Sequence, residues 1–201
     1  MSSIILASRS SAYPLIYRAL MTSLDSSPSD TDVAIITTAS AEWKEQNKHA
    51  IEAYNFFKRD GFRRIQFVDI EKEVSDVLRE FKIIYLSGGD PYYLLHQLRV
   101  SGADNALISL HAEGSILIGI SAGGMVLGPD IGFVDRVGPP SPHAVYPERK
   151  GLGLFHFQVL YHANRYTDQI GAIRSEVQED LLELSDDQVL LLKDGKREFV
   201  K

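Results

Sequence analysis

The 201-residue chain contains no cysteine, which excludes disulfides, thiolate metal sites and a cysteine nucleophile together. It has no excess of positive charge either: 21 Lys and Arg stand against 27 Asp and Glu, a net charge of −6. That balance, with no Lys/Arg cluster to offset it, argues against nucleic acid as a partner. No stretch approaches the ~18 apolar residues that a membrane span needs, so no membrane partner is expected. The opening Met1-Ser-Ser-Ile-Ile-Leu-Ala has no basic region, and its apolar stretch is too short for export. A cytoplasmic location is the expectation. What is present is ordinary for a globular protein, with 44% apolar and 24% charged residues. Disordered and fibrous classes drop out, and the length suits a single domain over residues 1–201 with its own core.

Short β-rich apolar runs alternate with amphipathic stretches along the chain. Strands are predicted at Ser3–Ala7, Val33–Thr38, Ile65–Val68, Ile83–Leu86 and Ser115–Ile120. Between them helices are predicted over Tyr13–Leu24, Glu45–Arg59, Pro91–Arg99 and Ala103–Glu113, with a short one near Val74–Phe81. Such alternation implies right-handed βαβ units, hence a three-layer α/β/α fold around a mostly parallel sheet. The pattern changes after Val126: Gly128–Gly151 carries five prolines and reads as loop. Beyond it a strand is predicted at Leu154–Tyr161, then a helix at Thr167–Leu184. Gln188–Leu192 and Arg197–Val200 are expected to close the chain as a hairpin turned by Asp194-Gly195.

The strand at 115–120 runs into Gly119-Ile-Ser-Ala-Gly123, which fits the G-x-S-x-G nucleophile elbow. In that turn the serine backbone is strained, and side chains on the flanking residues would collide. Three fixed positions match by chance in roughly one chain in fifteen of this length, so the setting after a buried strand carries more weight than the motif. A catalytic Ser121 needs a base within hydrogen-bond reach and a third group to orient that base.

Six histidines are available, at 49, 96, 111, 143, 156 and 162. The first three fall inside predicted helices and His143 lies in the proline-rich loop. His156 and His162 flank one predicted strand, and His162 sits at its C-terminal end, where open α/β sheets place their ligand chemistry. His162 is therefore the better base. A second glycine-rich turn, Leu86-Ser-Gly-Gly-Asp-Pro91, also ends a strand and opens a helix. Its N–H groups could complete an oxyanion hole, while Asp90 and Pro91 suit a helix N-cap and first turn. It does not match a dinucleotide or P-loop motif.

Three blocks, Ile83–Leu95, Gly119–Leu127 and Gly151–His162, are similar in order and spacing to those of the peptidase E and cyanophycinase-like serine peptidases. That family belongs to the class I glutamine-amidotransferase-like (flavodoxin-like) group. The resemblance implies a cytosolic serine peptidase for short peptides, dipeptides or N-terminal dipeptide units, with no metal or cofactor. It implies Ser121 as nucleophile, His162 as base and Asp135 as the third member, with Asp130 and Glu148 as competitors. The oxyanion hole would come from Gly88 or Gly89 with Ala122, and Asp90 and Arg165 are candidates to touch substrate. A homodimer is what the resemblance suggests.

The departures are specific. Ser87 replaces the first glycine of the family's turn, Gly124 stands where Ala is usual, and Tyr161 replaces a common Pro before the histidine, with Ala163 after it. Arg165 and Arg174 do not fall in the family's pattern for recognising an aspartyl side chain. Two other readings stay open. One is a catalytically silent binding or regulatory domain on this scaffold. The other is an α/β esterase, whose Ser, Asp, His order agrees but whose long inserts do not.

Overall fold

The computed structural model describes residues 2–133, 135, 141–176 and 180–201. Its main sheet has seven strands: β1 (Ser3–Ala7), β2 (Asp32–Ile36), β3 (Arg64–Val68), β4 (Ile83–Leu86), β5 (Ile116–Ile120), β8 (Val189–Lys193) and β9 (Lys196–Phe199). The spatial order is β3-β2-β4-β5-β1-β8-β9. The first five lie parallel, and β8 and β9 close the edge as an antiparallel hairpin. Asp194 and Gly195 both have positive φ, 52° and 72°, as a two-residue turn between twisted strands requires.

Strands β1, β2, β4 and β5 are buried along their whole length, which demands cover on both faces. Alternate side chains divide between two cores. Ile5, Val33, Ile35, Ile83, Tyr85 and Ile118 pack with α1 (Tyr13–Ser23) and α2 (Lys48–Arg59). Leu6, Ile36, Ile84, Leu86 and Leu117 pack with α3 (Pro91–Ser101), α4 (Ala103–Ala112) and α5 (Ala122–Leu127). The expected α/β/α layering is therefore what the chain adopts.

Three elements differ from the sequence prediction by more than two residues at a boundary. The Asn47 side chain accepts from His49 N at 2.9 Å, so α2 starts at Lys48 and the residues before it form a 3-10 turn. Residues 151–157 do not extend a strand. Leu152 N and Leu154 N instead donate to the carbonyls of Val126 and Leu127 at the end of α5, leaving only β6 (Gln158–Tyr161). The largest correction concerns the helix predicted over Thr167–Leu184. Helix α6 covers only Ile170–Glu176, and Leu181–Leu184 is a strand, β7. Residues 177–179 of that span, like Pro139 and Pro140 of the predicted loop, lie outside the described residues. An apolar run of this length cannot be told from a helix end by periodicity.

β6 and β7 form a separate, parallel two-stranded sheet, with Tyr161 opposite Leu184. The C-terminal ends of β1, β4, β5, β6 and β7 supply the residues described next.

Candidate active site

Ser121 follows β5 at φ 48° and ψ −112°, a region that costs a non-glycine residue on the order of 1–3 kcal/mol. Its surroundings hold it there. Ser121 N donates to Ala7 O at 2.9 Å, and its carbonyl accepts from Gly124 N and Met125 N, both at 2.9 Å. Close packing requires the glycines: a Cβ on Gly119 would lie 2.5 Å from Gly124 Cα, and one on Gly124 would lie 2.2 Å from the Tyr161 hydroxyl oxygen. The departures at 124 and 161 are thus one feature. The Tyr161 ring fills the volume that an alanine methyl at 124 would occupy.

The Ser121 Oγ lies 3.1 Å from His162 Nε2. His162 comes directly after β6 in a left-handed conformation, φ 59° and ψ 34°. On its other side Nδ1 lies 2.5 Å from Asp186 Oδ1. Asp186 is two residues beyond the end of β7, so the parallel pairing of β6 and β7 places base and carboxylate side by side. The other carboxylate oxygen, Oδ2, accepts from Arg165 Nε at 3.2 Å and Nη2 at 3.0 Å. Asp186 N donates to Asn164 Oδ1 at 2.9 Å.

Burial holds the His162 pKa below the ordinary histidine value; the hydrogen bond to Asp186 opposes this, and the nearby Arg165 charge reinforces it. That direction favours the neutral imidazole, and a proton on Nδ1 would face Asp186 while Nε2 faces Ser121. Partial burial works to raise the Asp186 pKa, but hydrogen bonds from His162 and Arg165 outweigh it and keep the carboxyl below its usual range.

The second glycine turn lies against Ser121. A Cβ on Gly88 would be 3.4 Å from Ile120 O and 3.6 Å from Ser121 Cβ. Ser87 N and Asp90 N bond to Ile36 O and Ala39 O, but among the described residues neither Gly88 N nor Gly89 N donates to a backbone carbonyl. Ala122, first in α5, has no intrahelical partner for its N–H. Gly88, Gly89, Ser121, His162 and Arg165 line one cleft of about 270 Å³ with Arg9, Asn47 and His49 among its walls.

The structure places the expected third member elsewhere. None of the three carboxylates proposed for it reaches His162. Asp135 has a side chain 46% exposed, with Arg149 Nε at 4.0 Å. Asp130 accepts from Gly132 N, and Glu148 pairs with His96 at 3.3 Å. The reason is the path of the loop, which packs toward α3, with the Arg149 guanidinium 4.5 Å above the Tyr92 ring. Asp186 is the residue that sequence reasoning missed. Its signal was present: a Ser-Asp-Asp turn closing a short apolar run becomes a candidate once that run is read as a strand.

Asp90, a candidate to touch substrate, is engaged by its own turn and loop. One of its oxygens caps α3 by accepting from Tyr92 N and Tyr93 N at 2.9 and 3.0 Å, and the other holds Ser141 and His143. It is not among the cleft residues. Arg165 does line the cleft, while its guanidinium is engaged by Asp186. Among the described residues no three His, Asp or Glu side chains are grouped to hold a metal ion, and no helix is long and apolar enough to cross a membrane.

Comparison with known proteins identifies the family and the fold. The uncharacterized peptidase Lin0382 of Listeria innocua is 29% identical over 150 residues, covering 72% of this chain and 70% of its own. The uncharacterized peptidase PM1590 of Pasteurella multocida is 30% identical over 139 residues, 67% and 66% of the two chains. The fold matches the 1.5 Å crystal structure of a candidate peptidase E protein from Listeria monocytogenes, with a TM-score of 0.84 at 23% identity over 100% of this chain and 98% of that one. A peptidase from an acI-B1 actinobacterium matches with a TM-score of 0.67 at 20% identity, over 100% and 87%. The profile of peptidase family S51 matches residues 4–200. This chain is a serine-type peptidase and belongs to peptidase family S51.

Proposed function

We propose that this peptidase hydrolyses short peptides, dipeptides foremost, through a Ser121–His162–Asp186 triad. The observation that carries the reading is the unbroken chain of contacts, 3.1 Å from Ser121 Oγ to His162 Nε2 and 2.5 Å from His162 Nδ1 to Asp186. Ser121 Oγ attacks the scissile carbonyl as Nε2 takes its proton. The backbone N–H groups of Gly88 or Gly89 and of Ala122 receive the oxyanion. The tetrahedral intermediate collapses as His162 returns the proton to the leaving amine, forming an acyl-enzyme. Water, deprotonated by the same Nε2, then releases the acid. Asp186 keeps the Nδ1 proton in place and balances the imidazolium charge in both steps.

The cleft supports a small substrate. At about 270 Å³ it lies just below the usual range of small-molecule sites, which suits a dipeptide better than a folded loop. Because Arg165 is engaged by Asp186, an aspartyl preference is not part of this reading. The test is a dipeptide library screened with wild type and Ser121→Ala in parallel, together with fluorophosphonate labelling. Turnover and labelling confined to wild type support the triad. A wild-type protein that neither turns over any dipeptide nor takes the label overturns it in favour of a silent scaffold.

A further inference from the structure

We infer that Ser8 is a positioning residue that sets the reach between nucleophile and base, an inference that rests on the triad reading above. The two halves of the triad belong to different sheets. Ser121 ends β5 of the main sheet, whereas His162 and Asp186 follow β6 and β7. Something must hold one sheet against the other to within a few tenths of an ångström, because a hydrogen bond weakens steeply beyond its normal range.

Ser8 is placed to do this. It is the first residue after β1, the strand that pairs with β5 in the main sheet, and it is only 2% exposed. Its hydroxyl donates to Leu184 O at 2.8 Å and accepts from His162 N at 2.9 Å. One oxygen thus binds the last residue of β7 and the residue following β6. Both groups it satisfies are backbone atoms, so the tie fixes where the strands end rather than how a side chain rotates. Among the described residues, other polar contacts at this corner are the Ser121–His162 bond, the 3.8 Å contact of Arg9 with Asp186, and the bond from Gln188 N to Ser185 O in the turn into β8. None of these touches the backbone of His162 or Leu184.

A tie of this kind has a distinctive signature. His162, Asp186 and Arg165 all lie on the β6–β7 side, so the groups that bond directly to the imidazole would shift with it if the tie were cut. The pKa of the base should then stay near its wild-type position, while the Ser121–His162 distance loses definition. Misplacement of reacting groups by about 1 Å can reduce rate on the order of 100-fold.

The experiment compares wild type, Ser8→Ala and Ser8→Cys, the last keeping the size of the side chain with a weaker donor and acceptor. Fluorophosphonate labelling is followed both to its end point and as a rate across pH, with kcat and KM for one dipeptide. The expected result for Ser8→Ala is full end-point labelling, a labelling rate and kcat lower by about 10- to 100-fold, KM within about twofold, and an unmoved acid limb. Ser8→Cys should lie between the two. A rate and kcat equal to wild type, or a loss explained wholly by a reduced fraction of labelled protein, would overturn the inference while leaving the triad standing. Amide exchange at His162 gives a reading independent of activity. Protection lost in Ser8→Ala supports the tie, and unchanged protection counts against it even if the protein proves to hydrolyse nothing.

Discussion

Ser121 ends a strand with parallel neighbours on both sides in a seven-stranded sheet, whereas His162 and Asp186 follow the strands of a sheet with only two. The first region is over-determined. β5 and its neighbours β1 and β4 are buried throughout, the elbow is pinned by backbone hydrogen bonds on either side, and glycine-to-glycine contact leaves no freedom for the turn. That rigidity lets a serine remain in a strained conformation. The second region is smaller and lies at the edge of the core, with few polar ties to the rest. The strained serine can be held permanently by the larger structure, while His162 and Asp186 depend on their own pairing and on a small number of contacts across the gap.

The sharpest way to break the comparison is to remove the nucleophile. Ser121→Ala should lower kcat by about 10⁴-fold or more with thermal stability near wild type, since among the described residues the hydroxyl bonds only His162. Substantial residual turnover would show that the rigid region is not where the chemistry starts.

Next is the carboxylate. Asp186→Asn should reduce kcat by about 10³- to 10⁴-fold by favouring the wrong tautomer of His162. Asp135→Asn, 46% exposed and remote from the base, should stay within about twofold of wild type. The reverse ranking would return the third role to the proline-rich loop.

A smaller effect separates charge from position in the two-stranded region. The Arg165 guanidinium lowers the His162 pKa and also draws on Asp186. In Arg165→Gln both influences are removed and the imidazole becomes easier to protonate. The base must be neutral to act, so activity falls as pH drops through its pKa. The acid limb of kcat/KM should therefore move to higher pH in the variant, with the plateau little changed. A limb that stays or moves lower would contradict the charge assignment.

The smallest effect probes the seam between the regions. Gly124→Ala places a methyl 2.2 Å from the Tyr161 hydroxyl oxygen and should destabilise the fold by about 1–3 kcal/mol, read as a lower Tm. Adding Tyr161→Leu should recover part of that loss, because the two positions share one volume. Additive losses in the double variant would mean that the contact does not couple them.

Legibility followed the same division. The strands β1 and β4 are read from the sequence to the residue, and β5 to within one, because continuous apolar runs bounded by polar turns leave few alternatives. Gly119, Ser121 and Gly123 lie together along the chain, and their motif is visible without a fold. His162 could be singled out by its place at the end of a strand. Asp186 could not, because its position depends on whether Leu181–Leu184 pairs with a strand some twenty residues earlier, and a four-residue run contains no periodicity to decide. Asp135 was the natural choice by likeness alone, but the loop that carries it turns toward α3.

The amino-acid order alone determined an α/β chain with a serine at a glycine-bound strand end and a histidine at another, because local apolar pattern and turn chemistry act over a few residues. Which carboxylate faces that histidine, why Tyr161 accompanies Gly124, and what Ser8 joins were decided only by the tertiary structure. Those contacts link residues 24, 37 and 154 or more positions apart, and a distance of that kind is set by how the sheets pack.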